Sequence, residues 1–95
     1  MKFNRTDLNQ SEIAKALAKV GASVTSLTSV KDGCPDLLVG FRGFNYLMEI
    51  KNPKISHSLT KAQKLWHQRW AGKVHIVQTI DEALIIVGVL KIRAE

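Results

Sequence analysis

Two apolar runs around a glycine-containing turn constrain this chain more than any other feature. Leu37, Leu38 and Val39 precede Gly40-Phe41-Arg42-Gly43-Phe44-Asn45, and Tyr46, Leu47, Met48, Glu49, Ile50 and Lys51 follow it, a β-hairpin signal. If Arg42 and Gly43 form the tight loop, Phe41 pairs with Phe44. The same register then carries Asp36 directly opposite Glu49, with Cβ atoms roughly 5 Å apart on one face. Lys51 projects from that face as well, because side chains alternate along a strand. Facing carboxylates repel each other, and a cation between them would relieve the repulsion left by Lys51. A slip of one residue would send Asp36 to the opposite face, so the functional reading depends on this turn. Asp after Pro and Glu-x-Lys are each ordinary turn or edge chemistry alone. Here both acids lie within hydrophobic runs, where an ionised side chain is costly to bury without a partner.

The 95 residues make one domain, 1–95, too short for separate catalytic and recognition domains. A net charge of +6 is consistent with a polyanionic partner. No stretch approaches the roughly 20 apolar residues that span a bilayer, and no signal-peptide core follows Met1-Lys2-Phe3-Asn4-Arg5-Thr6-Asp7. The expected location is therefore cytoplasmic. Cys34 is the single cysteine, which excludes an intramolecular disulfide and a cysteine-rich zinc site, and it is expected to be a small buried filler beside Pro35. His57, His67 and His75 lack metal-ligand spacing, and His57 falls in a polar loop. Nothing matches a P-loop, a serine-nucleophile elbow or a zinc-protease helix.

Ile13, Leu17 and Val20 have helical spacing within Asn9 to Val20, and Gly21 follows as a stop. Ser23 to Thr28 reads as a first strand, ahead of the turn signal Lys31-Asp32-Gly33. After Asn52-Pro53, Thr60 and Gln63 have the spacing of a capping box opening a second helix, about Lys61 to Ala71. On it Gln63, His67 and Trp70 share one side, while Ala62, Leu65 and Trp66 form an expected core stripe, and core packing is the expected role of Trp70 too, with stacking on a base or a subunit contact as its alternatives. His75-Ile76-Val77 reads as a strand, and Thr79 with Glu82 as a second capping box. The tail Val87 to Ile92 suits either a longer helix or a strand, with Val87-Gly88-Val89-Leu90 available to a dimer interface. The fold class is α/β. Leu37, Val39, Tyr46, Met48 and Ile50 share one hairpin face, Leu38 and Leu47 the other, so helices are expected on both sides of the sheet.

With Glu12 on the first helix, then Gly33-Cys34-Pro35-Asp36, Glu49-Ile50-Lys51 and Leu59-Thr60-Lys61-Ala62-Gln63, nearly the whole chain resembles the PD-(D/E)XK nuclease superfamily, and within it the virus-type replication-repair nuclease (VRR-NUC) domains. The resemblance implies a restriction-endonuclease-like domain with an α-β-β-β-α-β core and a mixed central sheet flanked by helices. It implies Asp36 and Glu49 as paired metal ligands, with the main-chain carbonyl of Ile50 as a third. Lys51 would stand beside the attacking water. Glu12 would complete or orient the metal site, although the first turn of a helix favours a carboxylate in any case. Gln63 matches the family's helix glutamine, but its capping role competes, and it is expected to do only one of the two.

Hard carboxylate oxygens favour Mg²⁺, with Mn²⁺ as substitute. The resulting expectation is a metal-dependent DNA endonuclease acting on four-way junctions or other branched DNA in replication, recombination or repair. Stand-alone members of the family are largely phage and bacterial, which implies a bacterial host cell and a possible phage origin. Because one small body holds one site, cutting two strands implies a homodimer. Lys31, Arg42, Lys54, Lys61 and Lys64 flank the site in sequence and are candidate phosphate contacts. The alternative is a non-catalytic nucleic-acid-binding module of the same fold, which would have no need of Asp36, Glu49 and Lys51 together.

Overall fold

In a computed structural model that describes residues 5–52, 54 and 58–92, with side chains from Asn9 onward, the elements run α1 (Arg5–Lys19), β1 (Ser23–Ser26), β2 (Leu37–Phe41), β3 (Phe44–Ile50), α2 (Lys61–Arg69), β4 (Val74–Val77) and α3 (Ile80–Ile86). His57 lies outside the described residues. Arg42 and Gly43 have φ of 50° and 85°, the double positive-φ geometry of a type I′ turn that matches strand twist. Phe41 pairs with Phe44 and Leu37 with Met48, so the next rung sets Asp36 against Glu49 as the turn requires. The sheet has the order β1-β2-β3-β4 and is mixed, with β4 parallel to β3 and the other pairs antiparallel.

Side-chain alternation divides the sheet into two unlike faces. Leu37, Val39, Met48, Ile50 and Val77 are buried on one, beneath Ile13 and Leu17 of α1 and Ala83 of α3. Glu49 has the opposite parity, as do Leu38 and Ile76, which are exposed. The expected cover on both faces is therefore only partly present. Helix α2 stands on the second face, yet buries none of its residues, because its links to the sheet, through Gln63 and His67, are polar. The core stripe expected from Ala62, Leu65 and Trp66 is absent for this reason. Trp66 is half-buried and stacks on Trp70, ring centroids 4.6 Å apart, and Trp70 is exposed rather than packed in the core.

Helix α1 begins earlier than expected, at Arg5, and closes where Gly21 takes φ 100°, with Ala22 N–H donating to the Leu17 carbonyl and Gly21 N–H to that of Ala18. This is a Schellman stop. Gly88 at φ 89° ends α3 the same way, with Val89 N–H on Leu84 and Gly88 N–H on Ile85. The tail therefore neither extends the helix nor forms a strand. Val87 is buried and Val89 packs against the core, which withdraws most of that apolar segment from any interface.

Candidate metal centre

Asp36 stands at the mouth of β2, where its main-chain carbonyl still accepts from Leu27 N–H at 2.7 Å. Its carboxylate accepts from Ile50 N–H at 2.8 Å, so both ends of the residue are tied to the sheet. Glu49 is 1% exposed. Burial, a hydrogen bond to the Asp36 side chain and the Asp36 charge together push its carboxyl up to about 9, against the lowering pull of Lys51. At neutral pH the Glu49 carboxyl is consequently protonated. Burial first, and then Glu49 and Asp36, also raise the Cys34 thiol, which is half-buried rather than fully buried filler.

Helix α2 completes the cluster from above. Gln63 Nε2 donates to Glu49 Oε2 at 3.3 Å. Its Oε1 accepts from Lys51 Nζ at 2.8 Å and from the Thr60 main-chain N–H at 2.9 Å, while Thr60 Oγ1 accepts from Gln63 N–H at 3.2 Å. The capping box and the site contact thus coexist. The exclusive choice expected for Gln63 fails because an amide oxygen has two lone pairs, enough for Thr60 N–H and Lys51, while the NH₂ group donates to Glu49.

Two residues outside the sequence-based set also belong here. His67, one turn beyond Gln63, places Nε2 3.4 Å from Glu49 Oε1. Its imidazole is held below its usual range by burial and by Lys51, so this contact joins neutral groups rather than an ion pair. A search for metal-ligand spacing misses it, whereas its position on the Gln63 side of the helix is the signal that finds it. Asn9 of α1 donates to the main-chain carbonyls of Lys51 and Gln78, at 3.1 and 3.3 Å, and fixes the end of β3. Glu12 lies one turn after Asn9 but is exposed, and among the described residues no hydrogen bond or ion pair joins it to the cluster. Lys31, Lys54, Lys61 and Lys64 are exposed as well. Arg42 lies over the Phe41 ring at the hairpin tip, the far end of β2 from Asp36 and roughly 17 Å away by strand rise. It does not flank the site.

The donors suit a hard divalent cation. A buried carboxyl that hydrogen-bonds to another carboxylate is a group whose charge the protein alone does not compensate, and a cation displacing the shared proton would do so. Among the described residues no group of three or more His, Cys, Asp or Glu side chains is placed to hold a metal. The remaining ligands would be carbonyl oxygen and water, the usual company of Mg²⁺.

The raised Glu49 carboxyl has a consequence for stability. Its folded-state value of about 9 exceeds the ordinary 4.5, so the folded chain holds that proton more tightly than the unfolded chain. Stability from this source is complete below about pH 4.5 and declines as pH rises toward 9. Thermal melts in EDTA between pH 5 and 9 are expected to show a falling midpoint. A midpoint that rises throughout that interval would remove this description of Glu49.

The domain is similar to a solved structure described as a VRR_NUC domain, with a TM-score of 0.67 and 23% sequence identity over 88% of this chain and 97% of the other. The chain therefore has the fold of a VRR_NUC domain. No family model matches it, and no curated protein matches it by sequence.

Proposed function

We propose that this protein is a metal-dependent DNA endonuclease that selects branched DNA and works as a homodimer in a bacterial cytoplasm, encoded by the host or by a phage. The observation that carries the proposal is the buried Glu49 carboxyl beside Asp36, with Lys51 held to the same cluster through Gln63, on a VRR_NUC fold.

In this reading Asp36, Glu49 and the Ile50 carbonyl would hold Mg²⁺ or Mn²⁺, and Glu12 would contribute through water. The ion, when bound, supplies Lewis-acid neutralisation of the phosphate and a nucleophilic water at neutral pH. Gln63 fixes the Lys51 ammonium at 2.8 Å, where it is available to orient the attacking water and to offset negative charge on the phosphorane. Gln63 and His67, one on each Glu49 oxygen, keep that carboxyl turned toward Asp36. Exposed Lys54, Lys61 and Lys64, with Lys31, supply phosphate contacts that position DNA without reading its sequence.

The test is cleavage of labelled duplex, single-stranded, flap and four-way-junction DNA with Mg²⁺, Mn²⁺ or EDTA. Metal-dependent cutting, strongest on branched substrates, is the expected result. Salt-sensitive binding of all four without cutting under any metal would assign the chain to a non-catalytic binding module instead.

A further inference from the structure

Helix α2 carries a second feature on the flank adjoining Gln63 and His67. Asp32, Ala62, Leu65, Trp66, Arg69 and Trp70 line an open groove of about 520 Å³. The two indoles stack at an interplanar angle of 18°. Trp70 is 47% and Leu65 40% exposed, so this helix displays apolar surface that the fold leaves uncovered.

The charge around the groove selects its occupant. Residues 50–80 contain six of the fourteen Lys and Arg residues and none of the eight Asp and Glu residues. That segment alone carries a charge equal to the +6 of the whole chain, and the remainder is balanced. A second copy packed here by two-fold symmetry would bring Arg69 of each copy, and Lys61 one turn before Leu65, to a single interface in which Asp32 is the one acidic residue lining the groove. A polyanion meets no such repulsion. Aromatic faces within a basic surface are the combination that holds unpaired nucleic-acid bases, since stacking accepts any base and lysines track the phosphates. Arg69 and the Asp32 carboxylate give the groove one donor and one acceptor for a base edge. Ala62 and Trp66 immediately precede Gln63 and His67, so less than one helix diameter, about 10 Å, separates this flank from the side that touches Glu49, a distance that a few nucleotides span.

We infer that the Trp66–Trp70 groove is a subsite for an unpaired base of the DNA strand next to the cleaved phosphate. The inference rests on the nuclease reading and deepens it, because a stacking pocket beside the acidic pair rewards DNA that is locally unpaired, as at branch points.

Binding is measured in EDTA, so that no strand is cut, on a duplex with a short single-stranded gap and on its fully paired counterpart. The gapped DNA is expected to quench indole emission and to bind about tenfold more tightly or better. Trp70→Ala removes most of that preference while leaving paired-duplex binding as it was, and Trp70→Phe retains most of it. Arg69→Gln, a polar change on an exposed position, weakens gapped-DNA binding in a chain whose circular dichroism matches wild type. An undiminished preference in both Trp70→Ala and Arg69→Gln, or equal losses on both DNAs, overturns the proposal. So does a sedimenting dimer that Trp70→Ala dissociates without affecting DNA binding, which gives the groove to a second copy. Cleavage of the same duplexes by wild type and Trp70→Ala with Mg²⁺ separates the two readings. No cutting alongside an intact gap preference counts against the nuclease alone, and cutting without Trp70 dependence counts against the subsite alone.

Discussion

Glu49→Gln is expected to reduce metal-dependent DNA cleavage about a hundredfold or more, and in the same variant to raise the melting temperature of the metal-free protein at alkaline pH. The two effects have one cause. The Glu49 side chain is buried, and its carboxyl stays protonated up to about pH 9 because burial and Asp36 both oppose its charge. Glutamine has nearly the same shape and ionises in neither state, so it removes the stability loss that wild type accumulates between about pH 4.5 and 9, where the unfolded chain gives up the proton that the folded chain keeps. It also removes the negative oxygen that a divalent cation requires. Adding Mn²⁺ should therefore raise the melting temperature of wild type and leave that of the variant unchanged, by mass action on the folded state alone. Lys51→Ala is expected to lose cleavage as well while keeping the metal-induced shift, because the ammonium contacts Gln63 and is not a ligand. Paired cleavage assays and melts check both variants. Full activity in Glu49→Gln would contradict the assignment.

Gly33→Ala is expected to damage the site from outside it. Gly33 has φ 87°, and a Cβ built there would stand 2.7 Å from the Gln63 main-chain nitrogen and nearer still to the Ala62 carbonyl. Alanine costs about 1–2 kcal/mol in that backbone region before any clash is counted. The atoms it meets are main chain at the first turn of α2 and cannot swing aside. Since α2 buries none of its residues, it has no apolar anchor against the push, and Gln63 and His67 should draw back from Glu49. The core beneath α1 and α3 is remote from this contact. The expected outcome is a cleavage rate lowered about tenfold or more, with faster amide exchange confined to α2 and the loop holding Gly33. Unchanged exchange in α2 would show that this close approach does not set the helix position.

The hairpin and its acidic pair were legible because they depend on local chemistry. Arg42-Gly43 dictates a turn, the turn dictates a register, and parity then places Asp36 and Glu49 together. The helix caps were legible for the same reason, although Glu82 accepts from Gln78 N–H instead of closing its box with Thr79. What periodicity could not reveal is which elements lie over which face. Leu65 and Trp66 have the spacing of a core stripe, yet among the described residues neither joins the buried core, so the same pattern marks an open groove. Asn9 joins the site through contacts distant in sequence, which no spacing rule anticipates, whereas His67 was within reach of the four-residue spacing from Gln63. The tail failed for a local reason: Gly88 at positive φ closes α3 and turns Val89 back onto the core.

The central claim is that Asp36 and Glu49 form a divalent-metal centre, and the most direct measurement is titration of the DNA-free protein with Mn²⁺, followed by electron paramagnetic resonance near pH 8. The account predicts saturable binding in wild type that is lost or strongly weakened in Asp36→Asn and in Glu49→Gln, accompanied by proton release in wild type as Glu49 ionises. Saturable binding that persists unaltered in both variants would place the metal elsewhere and contradict the account.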